Sequence, residues 1–130
     1  IETDLDAWLE QGYTGRLIDL RTPEEYNVSH LCEAENIPFL WLQDNRQTLT
    51  GERPLLFYCA RGSESLLVCG WYDRMGYEVY NLGGGYRFYQ GKYQCSLDRH
   101  FCRGFSLTDA DQSTRIKMVK TVMKIKGFFA

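Results

Sequence analysis

Cys59 stands where the apolar run Leu55-Leu56-Phe57-Tyr58 gives way to the turn Ala60-Arg61-Gly62, followed by Ser63-Glu64-Ser65 at the head of a helical pattern. A strand, a short glycine-bearing turn and a helix place such a turn at the C-terminal edge of a parallel sheet, where ligands bind in doubly wound folds. Main-chain N–H groups of residues 60 to 65 lack partners inside the helix and can converge on one point. There the helix dipole adds about half a positive charge. An anion is stabilised at that point, so a cysteine sulfur at its foot is favoured as the thiolate, the nucleophilic form. A persulfide is also anionic and suits the same donors. Arg61 adds charge for an anionic donor, Ser63 and Ser65 offer hydroxyls near the helix start, and Gly62 permits the dihedrals that a ring of inward N–H groups needs. The loop thus fits nucleophilic sulfur chemistry; taken alone, it fits a buried structural thiol as well.

Other residues with chemical capacity have plainer readings. Asp19 and Arg21 end a strand on the same sheet edge as Cys59, where they could support the loop or meet a substrate. A structural ion pair is the preferred expectation. A lone His30 is weak evidence for a base, and a stabilised thiolate needs none. Cys69 falls on the apolar side of the helix after Cys59 and is expected in the core. Cys95 and Cys102 flank His100, but three ligands at this spacing are unlike zinc knuckles, so a plain loop or a disulfide is expected and no metal.

The elements that would position Cys59 can be read from pattern. Thr3 and Asp4 resemble the cap and acidic first turn of a helix carrying Leu5, Trp8 and Leu9, closed by Gly12 and Gly15. Leu17-Ile18-Asp19-Leu20 suits a strand buried on both faces. Thr22-Pro23-Glu24-Glu25 is a capping box with Pro at the first helical position, predicting a helix through Tyr26 and Val28. Residues 36 to 38 read as a brief strand and 39 to 46 as a short helix. Residues 55 to 58 form the central strand, 63 to 74 its helix, 78 to 82 another strand, and 86 to 90 a short aromatic helix. Residues 91 to 104 read as loop. Residues 108 to 126 predict a basic amphipathic helix, with Ile116, Met118, Val119, Val122, Met123 and Ile125 opposite Lys117, Lys120 and Lys124. Strands alternating with helices predict an α/β domain with a parallel sheet.

Composition agrees with one such domain: 130 residues, 44% hydrophobic and 25% charged, suffice for one core and not for two catalytic domains. The formal net charge of −2 is uneven, because all 17 acidic residues precede position 112 and five of the 15 basic residues follow it. The basic helix is expected to fold back on the acidic body or pair with a second copy, making a homodimer, rather than lie on an anionic membrane. No nucleic-acid partner is expected. No apolar run approaches the roughly 18 residues of a membrane span, and the opening residues lack a signal-sequence pattern. The expected compartment is the cytoplasm, with an exported location kept as the alternative. Five cysteines are too few, and odd in number, for a disulfide scaffold.

Three stretches together resemble the rhodanese family over about residues 1 to 90. Leu17-Ile18-Asp19-Leu20-Arg21-Thr22-Pro23-Glu24-Glu25-Tyr26, with Ser29-His30-Leu31 and Asn36-Ile37-Pro38, is similar to its first signature. Leu56-Phe57-Tyr58-Cys59 with Gly62 and Ser65 is similar to its active-site loop. Gly76-Tyr77-Glu78-Val79 with Leu82, Gly84-Gly85-Tyr86 and Tyr89 resembles its last signature. The resemblance implies an α/β/α sandwich around a five-stranded parallel sheet. Residues 1–91 are expected to form this core, and 92–130 the loop and basic C-terminal helix read above from pattern. It also implies sulfur transfer through a Cys59 persulfide, from thiosulfate or a persulfide donor to cyanide, a thiol or a protein acceptor, with no metal or organic cofactor. Two positions depart from the pattern: Glu64 replaces an Arg common in bacterial single-domain members, and Ser29 replaces the Gly before the signature His. Glu64 is expected to face solvent, since a carboxylate turned inward would repel thiosulfate. Phosphatases of similar architecture need Cys-x5-Arg, and Ser65 occupies the clamp position here. A non-catalytic interaction module, or a persulfide carrier for a partner enzyme, is the alternative function.

Overall fold

A computed structural model of the chain describes residues 2–96 and 121–124. In chain order these form β1 (Glu2–Asp4), α1 (Leu5–Glu10), β2 (Arg16–Asp19), α2 (Pro23–Val28), β3 (His30–Leu31), β4 (Glu35–Asn36), α3 (Phe39–Asp44), β5 (Leu55–Tyr58), α4 (Ser63–Asp73), β6 (Val79–Leu82), β7 (Gln94–Cys95) and β8 (Thr121–Lys124). Single 3-10 turns cover Arg46–Thr48 and Tyr86–Phe88.

The apolar run of β5 is buried throughout, because side chains alternate between two cores. Leu55 and Phe57 join Ile18, Leu20, Leu42, Val68 and Tyr72 on the face covered by α3 and α4. Leu56 and Tyr58 join Leu5, Leu17, Leu31, Leu82 and Tyr86 on the opposite face, beneath α1. The result is the expected α/β/α layering. The main sheet has the order β1-β8-β6-β5-β2-β4. Four consecutive strands, β4, β2, β5 and β6, pair in parallel, with Asp19 opposite Tyr58 and Phe57 opposite Asn81.

The sequence expectation of five parallel strands is corrected at one edge, where β8 pairs antiparallel with both β6 and β1. Residues 121–124 of the expected C-terminal helix are therefore strand, while the remainder of 108 to 126 lies outside the described residues. Thr121 and Val122 are β-branched and suit a pleated surface, and hydrogen bonding on both sides of β8 outweighs the helical spacing of its apolar residues. Likewise Thr3 and Asp4 belong to β1 rather than to a helix cap, since they pair with Val122 and Thr121. β7 falls within the expected loop and pairs antiparallel with β3.

The capping box of α2 forms as expected. Glu25 N–H donates to Thr22 Oγ1 at 3.2 Å and Thr22 N–H to Glu25 Oε1 at 3.1 Å. Replacing Thr22 by Ala removes the cap oxygen and is expected to lower stability by about 1 kcal/mol, read as a lower denaturant midpoint with an unchanged m-value.

Candidate active site

β2 and β5 end side by side, and the chain leaves β5 directly into Cys59. The turn is held open toward α4 by Gly62, whose φ of 100° lies in the left-handed region that a side chain disfavours. Gly62 N–H then donates to Cys59 Sγ at 3.0 Å, and Ser65 N–H, from the first turn of α4, donates at 3.3 Å. Ser65 Oγ stands 3.4 Å from the same sulfur. Two main-chain donors at a helix start thus converge on one sulfur atom, which favours negative charge there. Cys59 is only 2% exposed, and its residue packs with the core beneath α4.

A second segment braces the loop from outside. Tyr86 N–H donates to the Cys59 carbonyl at 2.8 Å and Arg87 N–H to the Ala60 carbonyl at 2.9 Å. This approach is so close that a Cβ on Gly85 would stand 2.5 Å from the Ala60 carbonyl oxygen and 2.6 Å from Arg61 N. Sequence reasoning included Gly85 and Tyr86 in a family signature but gave neither a place at the loop. It also missed Asn81, a buried amide in apolar β6 whose Oδ1 accepts from Ser65 Oγ at 2.5 Å. The available signal was a polar residue in a strand otherwise buried by Val79 and Leu82.

Of the loop residues expected to bind an anion, Gly62 and Ser65 contact the sulfur, and Ala60 serves as an anchor through its carbonyl. Arg61, Ser63 and Glu64 present exposed side chains, so the Glu64 carboxylate faces solvent as expected. Asp19 and Arg21 form a structural clamp. Asp19 is fully buried and accepts from Arg21 Nε at 3.0 Å and Nη2 at 2.8 Å. Arg21 Nη2 also donates to the Ser29 carbonyl at 2.6 Å, and its guanidinium lies 4.4 Å from the Tyr86 ring centroid. The pair thereby fixes the Tyr86 segment that braces the loop. Ser29 Oγ meets Tyr86 Oη at 2.6 Å, so the departure at position 29 adds a contact to the same assembly.

His30 is tied elsewhere: Nδ1 meets the Tyr26 carbonyl at 2.8 Å and the ring stacks on Tyr26 at 3.8 Å. Cys69 is a core thiol donating to the Tyr80 carbonyl at 3.4 Å. Burial, reinforced by the nearby Cys59 and Asp73, pushes this thiol up, so it stays protonated through mildly alkaline pH. Alkylating reagents are therefore expected to spare Cys69 in the folded chain and to label it after unfolding, read by peptide mass. Cys95 lies sulfur to sulfur with Cys32 at 2.6 Å across the β3–β7 pair, while His100 and Cys102 are outside the described residues. Among the described residues no cluster of three His, Cys, Asp or Glu side chains could hold a metal.

A parallel α/β sandwich with a cysteine loop of this build at its sheet edge defines the class, and the chain belongs to the rhodanese-like domain family, whose profile it matches over residues 2–92. It is 32% identical over 78 residues to the protein YqhL of Bacillus subtilis (strain 168), covering 59% of this chain and 62% of YqhL, just under two thirds of that relative. It is also 32% identical over 78 residues to the thiosulfate sulfurtransferase GlpE of Tolumonas auensis, covering 59% of this chain and 74% of GlpE. The solved structure of a rhodanese-like domain protein from Staphylococcus aureus superposes with a TM-score of 0.56 at 25% identity, over 64% of this chain and 81% of that one. Among the described residues no helix is long and apolar enough to cross a membrane.

Proposed function

We propose that the chain is a rhodanese-type sulfurtransferase in which Cys59 carries the transferred sulfur. The observation that carries this reading is the pair of main-chain N–H groups, from Gly62 and Ser65, aimed at Cys59 Sγ. The name of the GlpE relative supports thiosulfate as one donor. In the first step the Cys59 thiolate attacks the outer sulfur of thiosulfate. A new bond forms from Sγ to that sulfur, the S–S bond of thiosulfate breaks, and sulfite leaves with the electron pair. In the second step the thiolate of an acceptor, or cyanide, attacks the outer sulfur of the persulfide. The Sγ–S bond breaks and its electron pair returns to Cys59. Charge on sulfur persists throughout, so the fixed donors serve every state of the cycle. Neither step requires a metal or an organic cofactor. A protein thiol is an acceptor of the same chemistry, and a persulfide donor can replace thiosulfate.

The low exposure of Cys59, 2%, favours a second reading as a non-catalytic interaction module on the same fold. One experiment separates them. After incubation with thiosulfate or a polysulfide and removal of excess reagent, intact mass should rise by one sulfur atom, and the added sulfur should leave on addition of cyanide. A folded chain that gains no mass from either donor fits the interaction module and contradicts sulfur transfer.

A further inference from the structure

Among the described residues three groups hydrogen-bond with Cys59 Sγ. Two are amide donors fixed by the backbone, and among the described residues only the Ser65 hydroxyl can change its role. Ser65 is fully buried and Asn81 is 4% exposed, so the hydrogen bond between them is made away from water. A hydroxyl has one proton and two lone pairs. Around Ser65 Oγ stand Asn81 Oδ1 at 2.5 Å, the Gly62 carbonyl at 3.2 Å and Cys59 Sγ at 3.4 Å. The Gly62 carbonyl already accepts from Leu66 N–H at 3.2 Å. With Asn81 Oδ1 turned forward the Ser65 proton goes to Asn81, leaving Ser65 lone pairs to face the sulfur. That arrangement suits a thiol, which can donate its proton to Ser65 Oγ. It does not suit a thiolate or a persulfide anion, which has no proton to give and gains from donors.

We propose that Asn81 is a positioning residue whose side-chain amide, by turning, switches the Ser65 hydroxyl from accepting a Cys59 thiol proton to donating to an anionic Cys59 sulfur. A half-turn about the last side-chain torsion exchanges Oδ1 and Nδ2 in nearly the same space. Nδ2 then donates to Ser65 Oγ, and the Ser65 proton is released toward the sulfur. No described residue accepts from Asn81 Nδ2, so the turn breaks no hydrogen bond between that group and the described protein. Register puts the switch in place: Asn81 pairs with Phe57, two positions before Cys59, so β6 carries the amide to the loop's inner side. The chained bonds polarise one another, strengthening the donation to sulfur. This inference rests on the proposed function only in taking Cys59 as the sulfur that becomes anionic.

The test is the pH dependence of Cys59 alkylation by iodoacetamide, followed by peptide mass, which requires no sulfur transfer. The parent chain is compared with Asn81→Asp, Ser65→Ala and the double variant. A carboxylate accepts at both oxygens, so the Asn81→Asp side chain would hold Ser65 in its accepting role whichever way it turned. Asn81→Asp should displace the profile upward by about one pH unit, about tenfold slower alkylation at neutral pH. The same substitution in the Ser65→Ala background should displace it clearly less, leaving only the effect of the added charge. Equal displacement in both backgrounds, or none in a folded variant, overturns the proposal. Should Asn81→Asp fail to fold, the Asn81 side-chain amide of the parent is followed by NMR, with Cys59→Ser as control. Its protons should shift with the Cys59 titration in the parent alone, and an amide indifferent to it overturns the switch. If alkylation behaves as expected while neither thiosulfate nor polysulfide adds sulfur, the switch stands and the transferase reading fails.

Discussion

Cys59→Ser is expected to abolish sulfur loading and to reduce transfer from thiosulfate to cyanide by about a thousandfold or more, to the level seen without protein. A hydroxyl cannot form the persulfide, and no second thiol is placed to substitute among the described residues. Cys69 points into the core and is bonded to the Tyr80 carbonyl, while Cys32 and Cys95 face each other across β3 and β7. Serine is close to isosteric, and its hydroxyl oxygen can accept from the same Gly62 and Ser65 N–H groups, so the fold should survive. The check is paired: steady-state transfer and intact mass for chemistry, with a denaturant titration for stability. Loss of transfer with stability changed by less than about 1 kcal/mol assigns the effect to the sulfur. Undiminished transfer by the Ser variant would move the reaction to another group.

Gly85→Ala should produce the largest stability loss of any single methyl addition near the site. Gly85 has φ 77° and ψ 178°, a region open essentially to glycine alone. The added Cβ would also meet the Ala60 carbonyl oxygen at 2.5 Å and its carbon at 2.6 Å, both backbone atoms that cannot rotate aside. Backbone strain and overpacking each cost about 1–3 kcal/mol, giving a combined loss of about 3 kcal/mol. Relief requires the 59–61 turn and the 85–87 segment to part, stretching the bonds from Tyr86 N–H to the Cys59 carbonyl and from Arg87 N–H to the Ala60 carbonyl. Sulfur loading should therefore slow even at temperatures where the variant is folded. A lowered denaturant midpoint with normal loading would show that this bracing stabilises the fold without shaping the sulfur site.

These contacts explain why some of the molecule is legible in sequence and some is not. β5 and α2 are specified locally. A four-residue apolar run bounded by turns can bury both faces only inside a sheet, and Thr22 and Glu25 satisfy one another within a single turn. The Cys59 loop is legible for the same reason, since strand, glycine and helix follow in immediate succession. β1 and β8 are not, because the polar Glu2–Asp4 becomes strand only by pairing with residues more than a hundred positions away. Thr121–Lys124 reads equally as a helical segment until the open side of β6 is considered. Asn81 and Gly85 belong to the same category. Each matters through a register or a close approach that brings β6 and the turn after it against the loop after β5. The Asp19–Arg21 pair is legible as a pair, yet its grip on Ser29 and on the Tyr86 ring is tertiary.

Main-chain donors cannot be deleted by changing a side chain, so their hold on the sulfur has to be observed in place. Backbone 1H–15N resonances, followed through the pH range in which Cys59 ionises, report it without any substrate. Gly62 and Ser65 amide protons should move downfield together, with one shared midpoint, as the sulfur gains charge, and should stay still in Cys59→Ser. If Cys59 ionises while both amides keep their positions, the negative sulfur is held by something other than this loop.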